Sequence, residues 1–205
     1  MRRCFATQPT SPGGARKRHK MLVYPEFLTG LFLRTPWRLS VLQSVRQLGL
    51  ADWAVGAGFV RSAVWDHLHG YSEPSPLNDV DVLYFDPTSA DIGRDEALER
   101  ELRSAMPDVP WQVKNQVRMH HRNGDPPYRN CEDALRYWLE TATCVALRLE
   151  ADDTLAIMAP YGLDDLLALR SRPTPRGRER YGAYIRRMRR KNWPEQWPRV
   201  RVEGL

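Results

Sequence analysis

The sequence predicts an α/β (α+β) protein with a mixed central sheet flanked by helices and a basic helical extension at the C-terminus. Three observations carry this. Segments of β-branched or period-two character interleave along the chain with segments of helical spacing. A turn, Gly56-Ala57-Gly58, joins an apolar strand to a helix. Residues 172–191 hold nine Lys/Arg against the single acid Glu179.

In chain order, residues 1–20 carry six Lys/Arg and no acid around Pro9, Pro12, Gly13 and Gly14, the composition of a disordered basic tail. They have no amphipathic apolar face, which sets a transit peptide aside; a start over-extended upstream of Met21 is the other simple reading. Thr35 caps a helix with Pro36 at its first position, Leu39, Leu42, Val45 and Leu48 follow at helical spacing, and Gly49 stops it. Trp53–Val55 is a short strand entering the Gly turn. Phe59–His69 is helical, with Val60, Val64 and Leu68 four apart and Gly70 as C-cap. After a loop at 72–76, Val80–Phe85 reads as a half-buried strand. Asp91–Met106 is a helix with Leu98, Leu102 and Ala105 inward, and Trp111–Val117 alternates as a third strand. Asn130 caps a helix running through Leu139. Strands Cys144–Leu149 and Thr154–Met158 flank an Asp152-Asp153 turn. Leu163–Leu169 is a short helix, Arg176–Lys191 a basic one, and Trp193-Pro194 with Trp197-Pro198 form a strap along the surface.

A chain of 205 residues buries a proper core, and it has no run of roughly twenty apolar residues to span a membrane. Cys4, Cys131 and Cys144 form no CxxC pattern, which excludes a disulfide framework and a zinc ribbon and places the protein in the cytoplasm. The net charge of +6 is uneven: 1–20 and 172–191 are basic, 192–205 balances, and 21–171 carries −8. Such a body gathers carboxylates for metal while cations for phosphate come from elsewhere.

The chemistry sits in Gly56-Ala57-Gly58-Phe59-Val60-Arg61-Ser62 and, past the loop, Asn78-Asp79-Val80-Asp81-Val82. Glycines where a strand becomes a helix let phosphate oxygens approach free N–H groups at the positive helix end. Arg61, about one turn in, adds a charge-assisted contact. Asp79 and Asp81, two apart on a strand, project from one face while Val80 and Val82 enter the core. Mg²⁺ or Mn²⁺ needs such a pair, since Mg²⁺ takes one or two carboxylates plus phosphate oxygens of an NTP. Gly-X-Gly alone is a common turn, and Asp-X-Asp beside Asn78 alone is an Asx turn. Their order on strand, turn, helix, loop and strand points to a metal–nucleotide site.

At these residues the chain resembles the polymerase-beta-like nucleotidyltransferase superfamily. Val60-Arg61-Ser62 after Gly58 is similar to the Gly-Gly-x-Val-Arg-Asp run of the tRNA CCA-adding enzymes, with Ala57 for the first glycine and Ser62 for the aspartate. A family of small bacterial nucleotidyltransferase-like proteins resembles nearly the whole chain, through 61–66, 78–82, Val113–His120, Glu140–Thr143 and Pro160–Leu166. The resemblance implies a nucleotidyltransferase fold over 21–171, with 172–205 packed on the same domain. It implies NMP transfer from an NTP to a hydroxyl acceptor, catalysed by Asp79 and Asp81 as metal ligands. Gly56, Ala57, Gly58, Arg61, Ser62, Lys114 and Asn115 would surround the nucleotide. The superfamily usually places a third carboxylate on the next strand; here Trp111–Val117 offers Lys114 and Asn115, leaving Asp133, Asp164 or His120 as spatial stand-ins. The gap leaves a second reading open, a nucleotide- or RNA-binding module without turnover. With no RNA-reading module in the chain, a small-molecule or protein acceptor is preferred over an RNA end.

His67, His69, His120 and His121 lack metal spacing on a shared face and read as surface or core histidines, His120 being the one placed near the site. Cys131 and Cys144 read as small buried residues. Leu135, Tyr137 and Trp138 read as the core face of a helix rather than a base-stacking platform. In 172–191 an apolar stripe of Tyr181, Tyr184, Ile185 and Met188 docks on the body. Arg186, Arg187, Arg189, Arg190 or Lys191 then clamps the acidic body, meets the nucleotide phosphates or meets a nucleic-acid backbone.

Overall fold

The three strands expected to frame the site lie side by side in the computed structural model, which describes residues 25–205. Trp53–Gly56 (β1), Val80–Tyr84 (β2) and Trp111–Asn115 (β3) join Ala146–Leu149 (β4) and Leu155–Met158 (β5) in a sheet of order β3-β2-β1-β4-β5. β2 and β3 run parallel and the other neighbours antiparallel, so the sheet is mixed, as expected. The expectations for residues 1–20, Cys4 and Met21 lie outside the described residues.

Helices cover the sheet unequally. In chain order they are 25–33 (α1), Pro36–Gln47 (α2), Gly58–His69 (α3), Ile92–Ala105 (α4), Gln116–Asn123 (α5), Cys131–Leu135 (α6), Asp164–Leu167 (α7), Pro175–Glu179 (α8), Tyr181–Lys191 (α9) and Trp193–Gln196 (α10). Alternation along the strands sends Trp53, Val55, Val80, Val82, Tyr84, Val113 and Leu147 into one core with residues of α1 to α4. Ala54, Leu83 and Ala146 face the other way, against Cys131 and Leu135 of the short α6. Asp81 and its β3 neighbour Gln112 belong by alternation to this thinly covered face, where the sheet leaves room for a cavity.

Where boundaries differ from expectation, a specific partner moves them. β3 stops at Asn115 rather than Val117 because the Asn115 amide oxygen accepts from Val117 N at 3.1 Å and caps α5. His120 and His121 therefore sit on α5. α6 ends at Leu135 instead of Leu139, because residues 139–141 pair with the C-terminal segment: Thr174 N donates to Leu139 O at 3.0 Å and Thr141 N to Arg172 O at 2.9 Å. Residues 176–191 form two helices, broken at Arg180 (φ −113°, ψ 44°), since Thr174 and Pro175 start a separate turn pressed onto Leu139. Leu169, at φ +53°, ends α7 early. Asp95, not Ala105, completes the inner face of α4; it is buried and accepts from Tyr84 OH at 2.7 Å, while Ala105 is exposed.

The strap is not on the surface. Trp193 and Trp197 are each 2% exposed and pack edge-on against Trp65, at 5.2 and 5.3 Å between ring centroids. The chain then ends in Arg201–Val202 (β7), paired in parallel with Arg170–Ser171 (β6). Cys131 and Cys144 are free and buried, as expected. No described helix is long and apolar enough to cross a membrane.

Candidate active site

β1 delivers the chain to the Gly turn between two neighbours, with Gly56 opposite Asp81 of β2 and Ala146 of β4. A Cβ at 56 would meet Ala146 Cβ at 3.1 Å and Leu83 Cδ1 at 3.3 Å, so this glycine serves strand packing beside Asp81 and does not itself line the cavity. The left-handed position of the turn falls on Ala57 (φ 51°, ψ −120°), where the resemblance places a glycine. Gly58 opens α3 toward the carboxylates: a Cβ there would stand 4.0 Å from Asp79 Oδ1. The first helical bond runs from Arg61 N to Ala57 O at 2.9 Å, leaving the preceding amides without helical partners.

The loop at 72–76 is tied back onto α3. Ser75 donates to buried Asp66 from N (2.8 Å) and Oγ (2.6 Å), and Trp197 Nε1 donates to the same carboxylate at 2.7 Å. This returns Asn78 and Asp79 to the start of α3. Asp79 immediately precedes β2, Asp81 lies within it, and both line a cavity of about 490 Å³ with Ala57, Gly58, Arg61 and Ser62. Burial, and then the charge of Asp79, pushes the Asp81 carboxyl up to about 6. A half-buried carboxylate pair short of positive charge fits a divalent cation. Among the described residues no group of three or more His, Cys, Asp or Glu stands ready to hold a metal, so a cation here would take one or two carboxylates and fill its shell with other oxygens.

Protein cations approach from α9. Arg187 and Lys191, four apart on one helical face, line the cavity and act electrostatically on the Asp pair. Arg187 is fixed by Glu140, which is 0% exposed. Its Nε donates to both Glu140 oxygens at 2.9 and 3.0 Å, and Thr143 Oγ1 donates to Glu140 at 2.8 Å. Burial works against the Arg187 charge, but Glu140 and the aspartates outweigh it and raise its pKa. Lys191 is lowered, by burial and then by Arg187 and Arg61. Arg61 lies among Trp65, Trp193 and Trp197, with its guanidinium carbon 4.7 Å from the Trp193 ring centroid and Nη2 donating to Ser62 Oγ at 3.0 Å. Burial, opposed by Glu140, brings its pKa down to about 10.

Lys114 and Asn115 are not brought to this cavity. Lys114 pairs with Leu83, two residues beyond Asp81. Asn115 is fully buried, and its amide holds the 86–89 turn through Asp86 O at 3.0 Å and Ser89 O at 2.8 Å. Beside Asp81 in β3 stands Gln112. None of the expected stand-ins lines the cavity. Asp133 pairs with Arg129, and His120 stacks on His121 with centroids 3.8 Å apart. The other cavity acids among the described residues are Glu140 and Asp125, which pairs with Arg176 and accepts from Tyr128 OH. Of the five cations singled out in 186–191, Arg187 and Lys191 reach the cavity, and Arg176 and Arg180 join them. Tyr137 and Trp138 also border it, because α6 ends before them; Leu135 has the core role expected of all three, and Trp138 packs against that core while lining the cavity. Glu140 lay within a family-like stretch, but its site role depends on an arginine 47 residues away.

A family model described as Nucleotidyltransferase matches residues 43–202. A solved structure titled as an NMR structure that "reveals a CCA-adding enzyme head domain" is 35% identical, with a TM-score of 0.74 over 85% of this chain and 93% of that one. Two chains titled "Structure of tRNA-processing enzyme complex 3" and "Structure of tRNA-processing enzyme with CTP" are 19% and 18% identical, with TM-scores of 0.41 and 0.40. Each comparison covers 65% of this chain and 35% of the other. Among curated proteins none matches.

Proposed function

The chain belongs to a nucleotidyltransferase family, and on that footing we propose that it moves a nucleoside monophosphate from an NTP to a hydroxyl acceptor in the cavity floored by Asp79 and Asp81. One observation carries the reading. A carboxylate pair whose charge is incompletely balanced faces, across one cavity, the start of a twelve-residue helix and the cations Arg187 and Lys191.

The acceptor oxygen forms a bond to the α-phosphorus as the bond to pyrophosphate breaks. Asp79 and Asp81 would hold Mg²⁺ or Mn²⁺, which would supply neutralisation of the charge developing at that phosphorus. The amides of Gly58 and its neighbours, with Ser62, bind phosphate oxygens at the α3 N-terminus. Arg187 and Lys191 attract the departing pyrophosphate, and Glu140 keeps Arg187 in place. Gln112 takes no proton, so the acceptor proton leaves to solvent.

Two observations favour variants of this reading. Gln112, beside Asp81, favours binding without turnover. Arg186, Arg189 and Arg190, exposed and without an ion pair among the described residues, favour an RNA end over a small-molecule or protein acceptor. The basic reading is tested by calorimetry with ATP, CTP, GTP and UTP, in Mg²⁺ and in EDTA. Binding of at least one NTP should require Mg²⁺ and weaken at least about tenfold in Asp79→Asn/Asp81→Asn. Equal affinity with and without metal, or no binding of any NTP, sinks it.

A further inference from the structure

Beyond phosphate and metal, the cavity contains a surface that the transfer chemistry does not use. Residues 137–140 run along its wall. Glu140 marks the Arg187 end, near the aspartates, and Tyr137 lies three residues away, a reach of at most about 10 Å of chain. Tyr137 is half-buried, and its ring packs on Tyr128 with centroids 5.0 Å apart and planes at 31°. Tyr128 is itself immobilised: it is buried, donates to Asp125, accepts from Asn123 Nδ2 at 3.2 Å and meets the His120 ring edge-on at 5.9 Å. Tyr137 thus lines the cavity while its ring packs against a fixed aromatic neighbour.

The other aromatic groups on the cavity are committed. Trp138 packs against the second core around Leu135. Trp193 and Trp197 are buried around Arg61. Two polar residues line the same cavity: Asn123, which donates to Tyr128 OH at 3.2 Å, and Arg180, whose Nη2 donates to Gly124 O at 3.4 Å. An aromatic residue on the cavity wall, three residues along the chain from the Glu140–Arg187 pair, matches a nucleobase held beyond its ribose and phosphates.

We propose that Tyr137 is the platform on which the base of the bound NTP stacks. The proposal rests on the nucleotidyl-transfer reading and adds where the nucleotide's apolar half lies. Stacking on a ring needs the ring and not the hydroxyl, so Tyr137→Phe keeps the interaction and Tyr137→Ala removes it.

The test compares, for the full chain in Mg²⁺, the affinity for whichever NTP binds most tightly with that for inorganic tripolyphosphate, which has no base. In Tyr137→Ala the ratio of NTP to tripolyphosphate affinity should fall roughly tenfold to a hundredfold, while Tyr137→Phe keeps the wild-type ratio within about threefold. An unchanged ratio in Tyr137→Ala overturns the proposal, whether or not both affinities fall together, as does an equal fall in Tyr137→Phe. If the wild type binds neither NTP nor tripolyphosphate, the transfer reading itself fails, which is a distinguishable result.

Discussion

Ala57 holds a backbone conformation (φ 51°, ψ −120°) that side-chain-bearing residues adopt at a cost. Ala57→Gly should therefore raise stability by about 1 kcal/mol in denaturant melts; an unchanged or lower stability would show that the turn carries no strain. Asp81 stores a second penalty. Its carboxyl titrates near 6 in the folded protein against an ordinary 3.8, so the folded state holds the proton more tightly and ionisation opposes folding. In EDTA the contribution favouring the fold is complete below about pH 4 and is lost as pH rises through about 6. Asp81→Asn should raise the metal-free melting temperature at pH 8, by an amount equivalent to roughly 1–3 kcal/mol, and flatten this pH dependence. Equal pH profiles for the two proteins would contradict it. The spacing in the sequence expects Asp79 and Asp81 to share a strand face; only Asp81 lies in β2, and Asp79 reaches the same cavity from the position just before the strand. Glu140 was not legible as a site residue, since its importance comes from Arg187 on a distant helix.

At the scale of elements, the strand–turn–helix around Gly56–Gly58 and the β2 strand followed from local periodicity and turn chemistry. Elements went astray where tertiary contacts overrode the local pattern. Residues 136–139 continue a helical pattern after Asn130, but Leu139 and Thr141 bond instead to Thr174 and Arg172. Asn115 reads as a nucleotide neighbour because it lies on the third strand, where the superfamily usually places a carboxylate; it serves as a cap and a loop anchor. The contact between α8 and residues 138–140 is close enough to test. A Cβ on Gly177 would lie 2.0 Å from Leu139 O, a backbone atom that cannot yield cheaply. Gly177→Ala should lower stability by about 2 kcal/mol or more and weaken NTP binding by displacing the 137–140 wall. A wild-type melting curve with wild-type affinity would show that the two segments are not packed as described.

Across the whole molecule, residues from both ends of the chain's second half complete a site whose carboxylates come from the first. Trp193 and Trp197 bury against Trp65 and enclose Arg61, so the C-terminal segment is part of the core that supports the cavity. Trp193→Ala should cost about 3–5 kcal/mol and loosen Arg61; a loss under 1 kcal/mol in urea melts would contradict that role. The basic charge of 172–191 pointed to a docked segment, yet which cations turn inward depends on the break at Arg180 and on the Glu140 pair. Neither is a local property of the sequence. The central claim, nucleotidyl transfer at Asp79 and Asp81, is met most directly by incubating the protein with each α-labelled NTP, Mg²⁺ or Mn²⁺ and a cell extract. Label should pass to an acceptor with release of pyrophosphate, and Asp79→Asn/Asp81→Asn should abolish transfer. A wild type that labels nothing, indistinguishable from the double variant, would contradict the account.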